Sequence, residues 1–266
     1  MIFGFTLSLS AIGSGASAWA RPLAEMLRAN SLDVCVQEDN RPFSSTQPTP
    51  NGVFIDLGNA VAARLGVEPK YTWLFSAEYV RKTDCDIIPA VAAIPNDDPV
   101  RQTIPYMVVR SVLVVRKDHA LIHQLDDLRA GHIAVLATSW ARHVLNAAGF
   151  PLWVRFLTND EILDAVENGD ADAGVVPFPA YQWRLRRQPD SPLQVEVGIK
   201  LDPSFDYRVS MGLRRADSST VSRFDEILRQ LMQDGAMEQI FARYGLRYER
   251  PEPDPHPAPK EAGGQN

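Results

Sequence analysis

Residues 32–44 read LDVCVQEDNRPFS, an apolar run that passes directly into a polar turn. The apolar residues alternate as they do in a buried strand, and Pro42 marks the turn. In open α/β sheets, ligands bind just beyond the carboxyl ends of the strands. The segment therefore predicts a first strand that ends at a cleft, with Asn40 and Phe43 as candidate ligand-binding residues.

The composition is that of a globular protein large enough for two lobes. The chain has 266 residues, of which 45% are hydrophobic and 23% are charged. Its formal net charge is -6, and the basic residues are dispersed among more numerous acidic ones. A nucleic-acid partner is therefore not expected.

The two ends of the chain differ from the rest. Residues 1–20 carry no charge and finish in the small-residue segment ASAWA, as a signal peptide does before its cleavage site. We expect cleavage near residues 18–20 and a periplasmic mature protein; the alternative is a hydrophobic N-terminal helix that is retained. Serines and glycines dilute this run too much for a membrane span. Residues 249–266 are rich in proline and are expected to be disordered.

The two cysteines, Cys35 and Cys85, test the idea of export. They lie in the predicted first and third strands, which are neighbours in the doubly wound order 2-1-3. A disulfide is expected in an oxidising compartment, the alternative being two free buried thiols.

His119 and His123 have helical spacing without a further ligand pattern, so they are interpreted as an exposed helix start. Neither a metal nor a cofactor is expected.

Three segments resemble a known family. The opening strand with its Pro-Phe turn, followed by GVFIDL at 52–57, is similar to the start of a bacterial solute-binding protein of family 3, a type II periplasmic binding protein. Residues 205–217, FDYRVSMGLRRAD, resemble the pattern FxYxISMGVRxxD of the quinoprotein-dehydrogenase-associated branch, the MxaJ and XoxJ proteins of methanol-oxidation operons. Residues 98–106, DPVRQTIPY, resemble the same branch. The resemblance extends over about residues 31–248.

This resemblance implies a two-lobed α/β fold. Each lobe would be a doubly wound sheet flanked by helices, and two hinge strands would connect the lobes. The alternation of strand and helix patterns along the chain agrees with this architecture. The first lobe would comprise residues 31–114 and 213–248, and the second lobe residues 115–212.

Further candidate ligand-binding residues come partly from the resemblance and partly from the residues themselves. Amino-acid receptors of the superfamily hold a substrate carboxylate with an arginine in the region of Arg101, a role that suits its planar fork of donors; the alternative is a solvated arginine paired with a neighbouring aspartate. Thr138 and Ser139 open a helix, where they would bind an anionic group or simply cap the helix. Phe178 is placed on the rim of the cleft. Pro177 stands where those receptors place the aspartate that binds the ligand ammonium group.

Two functions fit these features. The first is a non-catalytic accessory protein of a pyrroloquinoline-quinone-dependent methanol or alcohol dehydrogenase, favoured by the branch pattern and by Pro177, which offers no counter-ion to an ammonium group. The second is the receptor of an ABC importer, with the permease as its partner and an amino acid or another small polar solute as its ligand. An enzyme is not expected, because no nucleophile is accompanied by a base and no phosphate-binding loop is present.

Overall fold

The computed structural model of the protein describes residues 21–47, 51–75, 77–93, 100–120, 122–197, 201, 205–214 and 216–252. The predicted signal peptide, residues 1–20, lies outside this part of the chain, as does the predicted tail from residue 253 onwards.

The strands, in chain order, are β1 (Ser31–Gln37), β2 (Asp39–Asn40), β3 (Ser44–Ser45), β4 (Glu68–Leu74), β5 (Ile87–Ala92), β6 (Val100–Gln102), β7 (Met107–Val109), β8 (Ser111–Arg116), β9 (Ile133–Leu136), β10 (Leu152–Phe156), β11 (Ala173–Pro177), β12 (Leu193–Val195) and β13 (Tyr207–Arg214). The helices are α1 (Leu23–Ala29), α2 (Val53–Leu65), α3 (Trp140–Ala147), α4 (Asn159–Glu167), α5 (Phe178–Arg187), α6 (Ser218–Gln233) and α7 (Ala236–Arg243), with 3₁₀ helices at Ala77–Lys82 and Leu125–Ala130. No helix in the described part of the chain is long and apolar enough to cross a membrane.

Two sheets with the same internal order organise the fold. The first sheet has the order β4-β1-β5-β13-β6, and β7 also pairs with β13; the second has the order β10-β9-β11-β8-β12. In each sheet the first three strands are parallel and the fourth is antiparallel to its neighbour. The predicted α/β fold, with the order 2-1-3 in each half, is confirmed. We call the half built on the first sheet the first lobe and the half built on the second sheet the second lobe.

Strand pairing shows where the chain changes sheets. All pairs of β8 are made in the second sheet, whereas β13 pairs along its whole length in the first sheet. The chain therefore changes sheets at Arg110–Ser111 and again just before Tyr207, not near residues 114 and 212 where the sequence placed the lobe boundaries. The apolar pattern is continuous through both strands, so it does not reveal which sheet a strand joins.

The core of the first lobe forms around α2. Its buried stripe, read from the 3.6-residue period, consists of Phe54, Leu57, Val61 and Leu65, and the helix ends at Gly66 in the left-handed conformation. This stripe packs in one cluster with β1, α6 and α7. The helix α1, whose Met26 is fully buried, was not predicted. The disorder predicted from residue 249 onwards is wrong for Glu249 itself, whose backbone carbonyl accepts a hydrogen bond of 3.0 Å from the N–H of Val108.

The second sheet is buried on both faces. One cluster gathers around α3 on one side of the sheet, and another gathers around α4 and α5 on the other side. Because helices cover both faces, β9 and β11 read as nearly continuous apolar runs. The sequence TNDE at 158–161 forms a capping box at the start of α4, with the Thr158 side chain accepting a hydrogen bond from the N–H of Glu161.

The predicted disulfide between Cys35 and Cys85 is confirmed. It joins β1 to the residues just before β5, with the two Cα atoms 5.7 Å apart and 50 residues of sequence between them. Because β1 and β5 are neighbours in the sheet, the bond closes this long loop without displacing either strand.

We expect reduction of this bond to lower the free energy of unfolding by about 4 kcal/mol, since an open 50-residue loop restores entropy to the unfolded chain. Urea unfolding with and without reductant measures the loss. The double variant Cys35→Ala/Cys85→Ala is the control: it should be less stable than the native protein and insensitive to reductant. A native protein that unfolds at the same urea concentration in both buffers would contradict the prediction.

Gly52, which precedes α2, generates a second prediction. Its φ of 117° and ψ of 157° lie in a region that only glycine adopts without strain, and an added Cβ would overlap the carbonyl group of Phe43. We expect Gly52→Ala to lower the free energy of unfolding by about 3 kcal/mol in urea titrations. The matched control is Gly66→Ala, where φ is 74° and no atom lies within 4 Å of the added Cβ, so only about 1 kcal/mol should be lost. Equal losses would contradict this explanation.

Candidate functional site

A cleft of about 470 Å³ lies between the two lobes. Residues at the carboxyl ends of strands from both sheets line it, among them Gln37 of β1, Ala92 of β5, Leu136 of β9 and Pro177 of β11. This is the position expected for a ligand site in an open α/β sheet. The cleft predicted from the turn after β1 is therefore present.

On the first lobe, a small hairpin presents Asn40 and Phe43 to the cleft. The backbone N–H of Phe43 donates to the carbonyl of Asn40 at 2.8 Å, which closes the turn between β2 and β3. The ring of Phe43 stacks on Phe54 with centroids 5.0 Å apart and planes inclined by 18°. Both predicted residues are thus held in the cleft wall by contacts within their own lobe.

On the second lobe, Thr138 and Ser139 line the cleft at the start of α3. The Ser139 hydroxyl accepts a hydrogen bond from the N–H of Arg142 at 3.1 Å and donates to the carbonyl of Leu136 at 2.9 Å. Its hydroxyl is therefore used in capping the helix, which was the plainer of the two roles considered. The exposed hydroxyl of Thr138 makes no hydrogen bond to a described residue, so it is free to meet a ligand.

Asn159, the first residue of α4, was not among the predicted site residues, yet it lines the cleft opposite Asn40. Its Nδ2 donates to Oδ1 of Asn40 at 3.4 Å, a direct hydrogen bond between the lobes. Its own Oδ1 is buried and has no hydrogen-bond partner among the described residues. The sequence feature that could have identified Asn159 is its position shortly after the strand β10, at the same edge of the sheet as Thr138.

Helix α4 is anchored by Arg184 of α5, whose side chain is only 3% exposed. Its guanidinium donates to the carbonyl of Asp160 at 3.0 Å and to Gln188 at 3.0 Å, and it pairs with the carboxylate of Asp164. A buried guanidinium requires such partners, because an unpaired buried charge is strongly destabilising. The interactions fix the first turn of α4 and, with it, the position of Asn159.

The two segments that connect the lobes are bonded to each other. The backbone N–H of Ser111 donates to Asp206 Oδ1 at 3.1 Å, and its hydroxyl donates to the carbonyl of Phe205 at 2.8 Å. Arg110 adds hydrogen bonds to Asp206 at 3.0 Å and to Glu249 at 2.9 Å. Ser111 also lines the cleft, so the connection lies at its floor.

Two predicted site residues do not line this cleft. Arg101 is exposed in β6, where its register partner is Leu213 at the far end of β13 from the cleft residue Tyr207. The expected carboxylate clamp is corrected: the pairing of β6 carries Arg101 away from the site. Phe178 lies instead in a second cavity of about 460 Å³, beside Arg110 at the connecting segments.

The lobes also touch through α5. Trp183 packs against the core of the first lobe, and its ring centroid lies 6.4 Å from that of Tyr244. This contact adjoins the second cavity, which is lined by Phe178 and Gln182 of the same helix. The side of the molecule near the connecting segments is therefore packed, whereas the main cleft is spanned by the single described pair Asn40–Asn159.

The described residues that line the cleft include no Asp, Glu, Lys or Arg. Their polar groups are the amides of Gln37, Asn40 and Asn159, hydroxyls, and the ring nitrogens of a tryptophan and a histidine. Burial raises the pKa of the Tyr207 phenol to about 12, so this hydroxyl is neutral at physiological pH. No group of three His, Cys, Asp or Glu side chains within the described residues could hold a metal ion.

Known proteins are similar to this chain in sequence or in structure. The lysine/arginine/ornithine-binding periplasmic protein of Escherichia coli (strain K12) is 25% identical over 218 residues, which cover 76% of this chain and 83% of the relative. A probable amino-acid ABC transporter-binding protein of Haemophilus influenzae is 22% identical over 256 residues, 90% of this chain and 95% of the relative. The crystal structure of the ancestral amino acid-binding protein AncCDT-1, a precursor of cyclohexadienyl dehydratase, matches with a TM-score of 0.70 at 22% identity, covering 84% of this chain and 98% of that one.

The decisive comparison is with a family model. The model for bacterial extracellular solute-binding proteins, family 3, matches residues 32–247, which include strands of both sheets and the cleft between them. The sequence, the fold and the position of the cleft thus agree: this chain belongs to the bacterial extracellular solute-binding proteins, family 3.

Proposed function

We propose that this protein is an exported, non-catalytic receptor that binds a small polar solute between its lobes and delivers it to the permease of an ABC importer. The observation that carries the proposal is the cleft, to which the strand ends of both sheets contribute. The relatives support it, since one is named as a periplasmic binding protein and the other as a probable ABC transporter-binding protein.

The mechanism follows from the connection between the lobes. The chain passes between the sheets at Ser111 and at Asp206, and few backbone angles need to change there for the lobes to separate. A solute that contacts both lobes binds the closed arrangement more tightly than the open one. Solute binding therefore shifts the population towards closure, and the closed receptor is the species that a permease recognises.

Export is supported by the disulfide between Cys35 and Cys85. Such bonds form and persist in oxidising compartments and are rare in the cytosol. Together with the uncharged N-terminal segment, which lies outside the described residues, the bond favours a periplasmic location after removal of residues 1–20.

The alternatives have weaker support. Ser139, the hydroxyl residue closest in sequence to His143, is engaged in helix capping, which argues against a serine nucleophile in the cleft. The accessory role beside a quinoprotein alcohol dehydrogenase rests on the resemblance of residues 98–106 and 205–217 alone, and the relatives described above do not support it. The receptor is the better supported function.

We expect at least one solute in a library of amino acids, small amides, sugars and organic acids to raise the melting temperature of the mature protein. A ligand present at about 100 times its dissociation constant stabilises the folded state by about 2.7 kcal/mol, which corresponds to a shift of roughly 5–10 °C for a protein of this size. Differential scanning fluorimetry measures the shift. A library without any stabilising member would contradict the receptor function.

The matched controls are Thr138→Trp and Asn146→Trp. Both residues are exposed, one at the start of α3 facing the cleft and the other later in α3 outside it. The bulky ring at position 138 should abolish the shift, whereas the ring at position 146 should preserve it. Equal shifts in the two variants would place the binding elsewhere.

The partner is identified by crosslinking the mature protein in membranes of its host and purifying it. An importer receptor is expected to retain permease subunits, and retention should increase when the stabilising solute is added. Recovery of a quinoprotein dehydrogenase without a permease would overturn the importer in favour of the accessory role.

A further inference from the structure

We infer that the cleft selects an uncharged solute that carries an amide-like edge, which is held between Asn40 and Asn159. This inference rests on the proposed function and names the chemical class of the solute. It begins with Asn159, which is 4% exposed and whose Oδ1 has no hydrogen-bond partner among the described residues. A buried amide oxygen without a donor is unfavourable, so a donor from a bound molecule is needed to satisfy it.

The position of Asn159 in the cleft distinguishes its Oδ1 atom from the other unsatisfied polar atoms of the described residues. Five buried side-chain polar atoms lack partners in the described part of the chain, and they belong to Ser44, Asn159, Trp183, Arg184 and Ser210. Of these residues only Asn159 lines the cleft. Of these unsatisfied atoms, its oxygen is therefore the one that belongs to a residue of the cleft, and a solute would reach it once the Asn40–Asn159 pair separates.

The backbone on both sides of Asn159 is fixed by hydrogen bonds, which limits where its side chain can find another hydrogen-bond partner. The Thr158 side chain caps α4, with the N–H of Glu161 donating to it at 3.1 Å, and Arg184 binds the carbonyl of Asp160 at 3.0 Å. These bonds fix the first turn of the helix on both sides of its first residue. The amide is presented to the cleft by the fold itself.

Asn40 supplies the opposing amide. Its bond to Asn159, at 3.4 Å, lies at the long end of the range for such hydrogen bonds, so it is readily replaced by shorter bonds to a solute. The backbone carbonyl of Asn40 accepts a hydrogen bond of 2.8 Å from the N–H of Phe43. This bond fixes the backbone at Asn40 and keeps the Asn40 side chain at the start of the turn. Gln37 adds a third amide to the same wall of the cleft.

The hydrogen-bonding groups of these amide side chains determine which groups a complementary solute must carry. A carboxamide side chain offers a donor and an acceptor side by side, and rotating it by 180° exchanges the two. The complementary solute therefore also carries an adjacent donor and acceptor, as carboxamides, lactams and ureas do. Such an edge would satisfy Asn159 Oδ1 with an N–H group and leave an acceptor for Asn40 Nδ2.

The electrostatics of the cleft disfavour a charged solute. The described lining residues carry no carboxylate, ammonium or guanidinium group, and Pro177 at the end of β11 offers neither a charge nor a donor. A zwitterion would lose water at both of its ends without meeting a counter-ion from these residues. An amide would lose much less, because neutral amide groups of the protein replace its water.

The remaining surface indicates an apolar body behind that edge. The stacked rings of Phe43 and Phe54 form part of the first-lobe wall, with Met107 and Val109 beside them. On the second lobe Val175 lines the cleft from β11. A cleft of about 470 Å³ admits a compact hydrocarbon or aromatic group together with one amide.

Matched pairs of solutes test the inference. The mature protein is titrated by calorimetry with benzamide and benzoate, and with N-acetyl-L-leucinamide and L-leucine, at one pH and one ionic strength. Each neutral amide should bind at least about tenfold more tightly than its charged counterpart. Tighter binding of the charged members would overturn the inference while leaving the receptor function intact. Binding of none of these or of any library solute would overturn both.

Variants at Asn159 separate recognition from structure. Asn159→Leu has nearly the same size without polar atoms, so it should weaken amide binding at least about tenfold while the unliganded melting temperature stays equal or rises. A purely structural role predicts the reverse, a lower melting temperature with unchanged binding. Asn146→Leu on α3, outside the cleft, is the control and should change neither amide affinity nor the preference for neutral solutes.

A charge change at the same position completes the test. Asn159→Asp keeps the shape of the side chain and suits the first turn of a helix, where carboxylates are tolerated. It should weaken binding of benzamide and introduce binding of benzylammonium, because the cleft then holds an acid. Unaltered benzamide affinity in this variant would show that Asn159 does not contact the solute and would refute the inference.

Discussion

The two segments that connect the lobes are held together by one set of hydrogen bonds, where the chain passes between the sheets. Ser111 binds Asp206 and the carbonyl of Phe205, so the outgoing and returning segments are held side by side. This constraint brings the carboxyl ends of the two sets of parallel strands to a common gap. Together with the contact of Trp183 with the first lobe, it holds the residues at those ends on the two sides of one cleft.

The walls of the cleft are built before any solute arrives. Asn40 and Phe43 are fixed by a hairpin of the first lobe, Ser139 by its own helix cap, and Asn159 by the anchoring of α4 to Arg184. Each of these contacts is made inside a single lobe. Little side-chain ordering is therefore required when the lobes close, which lowers the entropic cost of binding.

The sequence predicted those parts of the molecule that depend on local pattern or on strand order. The strand order 2-1-3 brings Cys35 and Cys85 within bonding distance, and the ends of the predicted strands brought Asn40 and Thr138 into the cleft. Arg101, by contrast, was inferred from the resemblance to amino-acid receptors. The register of its three-residue edge strand is set by the partner β13 and cannot be read from its own residues.

Asn159 was overlooked for a different reason. The segment TNDE at 158–161 has a complete local explanation as a capping box, and that explanation is correct. What it leaves out is the distance to Asn40, 119 residues earlier, which only the packing of two lobes defines. The lobe boundaries were misplaced in the same way, since membership of a sheet is a long-range property.

The packing of α5 makes the two sides of the molecule different. Trp183 rests on the core of the first lobe beside Tyr244, close to the connecting segments, whereas the Asn40–Asn159 pair spans the main cleft. Breaking the Asn40–Asn159 hydrogen bond would leave the aromatic contact in place. The lobes would therefore separate more readily on the side of the main cleft than on the side of α5.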